Sequence, residues 1–209
     1  MIDKIKRIIK KILGIKPKPH NTKNIEKNII EAHKILNSIG VKHWLTDGTL
    51  LGFYRDGKIL PHDIDADFGV FIKDYKYEIV TAFEKKGWKH IYTFGRISVG
   101  FELTFEKEGE HLDLFFFYEE GDKYWHGAWA NAGGKKRYLI KYYYDKFDLK
   151  EADFLGEKFL IPADTEHYVE TKYGKNWRTP VKNWDWVLGP ANAVKTDIII
   201  KWRKRKILP

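Results

Sequence analysis

Ile2, Ile5, Ile8, Ile9, Ile12 and Leu13 recur at intervals of three and four with Lys4, Lys6, Arg7, Lys10 and Lys11 between them, which predicts a basic amphipathic helix over residues 2–13. Gly14 and the Pro17/Pro19 pair end it in a short stiff linker. A second helix is expected from Thr22 to Ile39, opened by Asn21 and Thr22, with Glu26 in its first turns and Gly40 closing it. Val41 to Thr46 then alternates apolar and polar, the period of a strand. Gly48 follows, and Thr49 to Arg55 reads as a short helix, so the order is strand, Gly-Thr turn, helix.

From Ile64 to Ile72 the apolar residues keep one parity, and Asp63, Asp65 and Asp67 keep the other, which predicts a strand with three carboxylates on one face. Asp74 is expected to cap a helix reaching Lys86, with Tyr77, Val80, Thr81 and Phe83 as its buried stripe. Strands are expected at 88–94, 97–105 and 111–118. Beyond Tyr124 the periodicity is poor until Asp164, which is expected to cap a helix ending at Gly174. No internal repeat is present.

A chain of 209 residues with 43% apolar content suits one compact α+β domain. The absence of cysteine excludes disulfides and thiolate zinc sites, and favours a reducing compartment. The net charge of +9 is unevenly placed: seven Lys/Arg lie in residues 1–20 and six in 191–209, against one acid in each, so the body between is close to neutral. That division predicts a basic helix and linker over 1–20, a catalytic domain over 21–190 and a basic tail over 191–209. A neutral body argues against nucleic acid as a partner and turns attention to tethering. No apolar run approaches the roughly eighteen residues of a membrane span, and the Ile/Lys alternation at the N-terminus is unlike a signal peptide. A chain neither exported by that route nor membrane-spanning is expected.

The carboxylates carry the chemistry. Acids at i, i+2 and i+4 on one strand face repel one another unless their pKa values rise or a divalent cation offsets them, and oxygen ligands favour Mg²⁺ or Mn²⁺. Asp113, inside the apolar run His111-Leu112-Asp113-Leu114-Phe115-Phe116-Phe117, is a fourth candidate, since a lone buried acid is costly unless paired or metal-bound. The bland alternative is a solvated edge face, with Asp113 meeting an arginine. The strand-turn-helix unit ahead of the acids weighs against it, because a helix N-terminus beside them supplies backbone donors for a diphosphate.

The run Trp44-Leu45-Thr46-Asp47-Gly48-Thr49-Leu50-Leu51-Gly52, then Arg55, then Leu60-Pro61-His62-Asp63-Ile64-Asp65-Ala66-Asp67, resembles the signature of LicD-type and fukutin-related transferases. His111 to Phe115 resembles that family's third acidic motif. Phe159 to Asp164, Tyr168, Tyr173 to Trp177 and Pro180 resemble its C-terminal signature. The match spans residues 40–184, with His62 standing where the family usually has Trp. The resemblance implies a nucleotidyltransferase-like mixed sheet flanked by helices, a divalent metal and a CDP-alcohol donor such as CDP-choline or CDP-ribitol. It makes Asp65 and Asp67 the metal pair, Asp113 a third ligand or the base, and Asp63 a supporting acid. Gly48 and Thr49 would meet the donor diphosphate, with Arg55 as a charge partner. The implied reaction moves phosphocholine, glycerol phosphate or ribitol phosphate to a glycan or glycolipid hydroxyl, as in lipopolysaccharide or capsule biosynthesis, and releases CMP.

Two rivals remain open at this point: a nucleotidyltransferase that transfers the nucleotide itself, and a non-enzymatic basic protein binding membrane or nucleic acid through its ends. His43, His62, His111, His126 and His167 show no metal-ligand spacing and read as hydrogen-bonding or surface residues, with His62 and His111 close enough to the acids to orient them. The aromatic-rich stretch over 124–144 reads as core, or as a platform for a sugar or a quaternary ammonium. Lys135, Lys136 and Arg137 after Gly133-Gly134 are either a phosphate grip or a solvated turn. The helix over 2–13, with Ile198-Ile199-Ile200, Trp202 and the cations of 201–206, predicts peripheral attachment to the anionic cytoplasmic face of the inner membrane.

Overall fold

The computed structural model describes residues 22–61, 63, 65–182 and 184–201, so the expected 2–13 helix, His62 and the last eight residues lie outside it. Helix α1 (Thr22–Ser38) buries Ile25, Ile29, Ala32, Ile35 and Leu36 along one stripe. Gly40, at φ +63°, turns the chain so that the Val41 N–H reaches Leu36 O at 3.0 Å. Then follow β1 (His43–Leu45), α2 (Asp47–Asp56), β2 (Asp65–Phe71), a 3₁₀ turn (Ile72–Asp74) and α3 (Glu78–Lys85). Strands β3 (Lys89–Arg96), β4 (Val99–Lys107), β5 (Glu110–Glu120), β6 (Lys123–Asn131) and β7 (Lys136–Asp145) form a long meander. The hairpin β8 (Leu149–Phe154) and β9 (Glu157–Pro162), helix α4 (Thr165–Tyr173) and β10 (Ala193–Lys201) complete the order.

The result is an α+β fold whose eight-stranded mixed sheet is flanked by helices. Its hub is β5, which runs parallel to β2 along 111–117, antiparallel to β4 along 110–115, and meets β6 through 118–120. Strict alternation gives β5 two faces. Leu112, Leu114 and Phe116 are fully buried on one, continuous with Phe101, Leu103 and Phe105 of β4. Helix α3 docks there through Phe83, stacked on Phe105 at 4.4 Å, and α1 packs on the same strands. The other face carries Asp113 and Phe115, beside Asp65, Asp67 and Gly69 of β2.

Several elements depart from the expected ones. Asp74 sits in the 3₁₀ turn, and α3 begins at Glu78 after Tyr77, which is 75% exposed; its buried stripe is Ile79 and Phe83. The stretch over 124–164 holds four strands; the period is hidden because β6 is buried on both faces from 125 to 130 and β7 carries apolar or aromatic residues at successive positions. Residues 193–201, expected to begin a basic tail, pair with β7 as strand β10.

Candidate functional site

Parallel register sets Asp67 directly beside Asp113, and Asp65 beside His111; antiparallel register sets Thr104 of β4 on the far side of Asp113. One carboxylate oxygen from each of Asp65, Asp67 and Asp113 lies within 4.8 Å of the others. Asp63 joins them from the segment before β2. A Cβ at Gly48 would stand 3.0 Å from Asp63 Oδ2 and 3.3 Å from Asp67 Oδ2, so the missing side chain lets both carboxylates close over the turn.

Helix α2 is bonded to the cluster by its first turn. The Gly48 and Thr49 N–H groups donate to Asp67 Oδ2 at 3.0 and 3.4 Å, and Thr49 Oγ1 accepts from the Asp67 N–H at 2.9 Å. Three carboxyls are held above the ordinary carboxylate range. Burial, then the Asp65 charge, pushes Asp67 well up. Burial pushes Asp113 up to about 7 despite a Thr104 hydrogen bond, and burial with Asp65 does the same to Asp63, also to about 7. Asp113 Oδ1 and Asp63 Oδ2 are buried with no hydrogen-bond partner. Orphaned acceptors in an all-oxygen set of crowded carboxylates fit a hard divalent cation of the Mg²⁺ or Mn²⁺ class.

The site also gathers residues to which the sequence assigns no role. Asp47, the first residue of α2, adopts φ +47°, a conformation few residues other than glycine tolerate. Its carboxylate pairs with Lys172 of α4, itself 7% exposed, and His126 Nε2 lies 3.6 Å away. Burial pushes Asp47 up, but Lys172 and His126 outweigh it and hold the carboxyl well below the usual range. Burial holds the His126 imidazole down against the pull of Asp47. Glu102 on β4 is buried, and burial with the Asp113 charge raises it well above the ordinary value. Lys172 and His126 carry no local signal, because their partner Asp47 is 125 and 79 positions away; Glu102 belongs to the polar parity of Phe101-Glu102-Leu103-Thr104, which alternation alone could have flagged.

A cavity of about 930 Å³ opens over this face. The four aspartates and Glu102 line it, with Trp177, Trp184 and Trp186 from the segment after α4. Arg55 lines it too, although its guanidinium is held by Asp56 at 3.0 and 2.9 Å. Of the aromatic stretch, Trp129 and Tyr142 reach the cavity. Lys135, in the β6–β7 connection, and Lys136 and Arg137, which open β7, do not line it. His43 bonds to His33 and Val41 in the core, and His167 to Asp145 at the surface.

The family model described as LicD/FKTN/FKRP, nucleotidyltransferase domain, matches residues 40–164. Ribitol-5-phosphate transferase FKTN of Homo sapiens is 42% identical over 174 residues, covering 82% of this chain and 37% of that protein, and the Macaca fascicularis protein matches to the same extent. The chain belongs to the LicD/FKTN/FKRP family. A more distant member, ribitol 5-phosphate transferase FKRP of Mus musculus, is 24% identical over 67% of this chain and 29% of its own length. The chain spans little more than a third of the FKTN proteins it matches. A solved structure of ANT(2″)-Ia in complex with adenylyl-2″-tobramycin overlaps 47% of this chain and 53% of its own at a TM-score of 0.36 and 17% identity, too slight a likeness to carry a conclusion. The LicD/FKTN/FKRP match contains all four aspartates and Glu102, whereas Lys172 and the three tryptophans lie beyond it.

Proposed function

We propose that this protein is a nucleotidyltransferase-fold phosphotransferase that moves an alcohol phosphate from a CDP-activated donor to a glycan hydroxyl and releases CMP. The observation that carries the reading is the side-by-side placement of Asp65, Asp67 and Asp113 under the N-terminal turn of α2. The names of the FKTN and FKRP relatives make ribitol phosphate the first alcohol to try, ahead of glycerol phosphate and phosphocholine.

Asp65, Asp67 and Asp113 would hold Mg²⁺ or Mn²⁺, supported by Asp63; the cation supplies positive charge to the transferred phosphoryl group. The chain's own residues do the rest. Gly48 and Thr49 hold Asp67 through its Oδ2, and the positive end of α2 would favour the donor diphosphate beside it. Arg55, already oriented by Asp56, offsets charge at the cavity wall. The aromatic wall excludes water from a group that would otherwise pass to it. The basic ends are assigned to the anionic cytoplasmic face of a membrane, where a lipid-linked acceptor would be presented.

The test is CMP release from CDP-ribitol, CDP-glycerol, CDP-choline and CDP-ethanolamine with Mg²⁺ or Mn²⁺ and a glycan acceptor. One donor is expected to release CMP in proportion to product. Appearance of a cytidylylated acceptor instead would establish nucleotide transfer, and no turnover with any donor would overturn the reading.

A further inference from the structure

Glu102 is the acid the cation cluster leaves out. It is 9% exposed, lines the cavity, and has no hydrogen-bond or ion-pair partner among the described residues. Its direct cross-strand neighbours are Phe94 on β3 and Phe115 on β5, both aromatic and both cavity-lining. A largely buried carboxyl that borders a cavity and bonds to no described side chain is costly, and such groups persist where a ligand completes them.

Its position identifies the ligand. Thr104 faces Asp113, so Glu102, two residues along β4, stands diagonal to Asp113 on the same sheet face, within reach of a long side chain. It lies outside the group formed by Asp65, Asp67 and Asp113. Across this face the order is α2 N-terminus, β2 with Asp67, β5 with Asp113, β4 with Glu102. If the donor diphosphate lies at α2, as the proposed function has it, Glu102 stands on the opposite side of the transferred phosphorus. In-line transfer needs the attacking oxygen there.

We propose that Glu102 binds the acceptor hydroxyl and acts as its general base, with the neighbouring aromatic side chains holding the sugar that carries it. The Glu102 carboxylate accepts the O–H hydrogen bond and takes that proton as the acceptor oxygen bonds to phosphorus. The bond from that phosphorus to the bridging oxygen breaks, and its electron pair leaves with CMP.

The test compares wild type, Glu102→Gln and Glu102→Asp in acceptor-dependent CMP release, Mn²⁺ binding, CMP binding and melting in chelator. Glu102→Gln should lose kcat by about 10²-fold or more, with Mn²⁺ and CMP affinities within about twofold of wild type. Glu102→Asp should recover part of the rate, and Glu102→Gln without metal should melt no lower than wild type. Wild-type kcat in Glu102→Gln, weakened Mn²⁺ or CMP binding, or a lowered melting temperature would each overturn the proposal, assigning Glu102 respectively to no step, to the donor side or to the fold. A wild type that releases no CMP from any donor would overturn the proposed function and this inference with it.

Discussion

Asp113→Asn should make the metal-free protein more stable while making it inactive. The folded carboxyl holds its proton up to about pH 7, against 3.8 for an ordinary aspartate. Between those values the native state binds a proton that the unfolded chain has lost, so this group's contribution to stability falls as pH rises through the window and is fully lost above pH 7. The difference of about three pKa units corresponds to a penalty on the order of 4 kcal/mol at pH 8. Asparagine keeps the shape and can still bond Thr104, but carries no charge to bury. For a chain of 209 residues, that relief raises the melting temperature by roughly 10 °C. The assay is thermal unfolding in EDTA at pH 8 and pH 5: the gap between variant and wild type should be widest at pH 8 and shrink at pH 5. Added Mn²⁺ should raise the wild-type melting temperature and leave the variant nearly unmoved, and CMP release should fall by about 10²-fold. If Asp113→Asn melts at or below wild type in EDTA at pH 8, the reasoning from crowded buried charge is wrong.

Asp65→Asn and Asp67→Asn are each expected to keep the fold, as read by circular dichroism, and to lose CMP release by about 10²-fold; near-normal rates in both would remove them from the site. Lys172→Met leaves the buried Asp47 carboxylate without its lysine and with only His126 beside it, so urea denaturation should show a loss of about 3 kcal/mol, and adding Asp47→Asn should return part of it. His43 donates Nδ1–H to Val41 O at 2.8 Å, accepts at Nε2 from His33 Nδ1–H at 2.9 Å, and His33 Nε2 accepts from Asn37 at 2.9 Å, a chain with no place for another proton. Burial holds His43 down to about 4, against 6.5, so the unfolded chain takes up protons first and stability should fall by about 3 kcal/mol as pH drops from 6.5 to 4; His43→Gln should flatten that slope in urea titrations.

Much of this site is legible in the sequence because its acids lie on strands with one apolar parity. Leu112, Leu114 and Phe116 reveal which way Asp113 faces, and the β1–α2 unit with Gly48 marks where a helix must start close to a carboxylate. The pairing of Asp67 with Asp113 is a matter of parallel register, which no local pattern encodes. The same holds for Lys172, whose apolar stem and charge become meaningful only once α4 lies against α2. Strand β6 escapes because residues 125–130 are buried on both faces, and β7 because Tyr142, Tyr143 and Tyr144 put rings on both, which removes the alternation that identifies a half-exposed strand.

The β7–β10 pairing bears on how the protein can be handled. Thr196 Oγ1 donates to Leu139 O at 2.9 Å, and Ala193–Lys195 and Ile199–Lys201 cover the outer edge of β7 on either side of a bulge. A recombinant fragment stopped near residue 190, where charge composition invites a cut, would bare a ten-residue, tyrosine-rich strand along its hydrogen-bonding groups. Such an edge recruits another chain. Aggregates of that fragment would then report a missing strand, and the shortest soluble version of this fold should extend through Lys201.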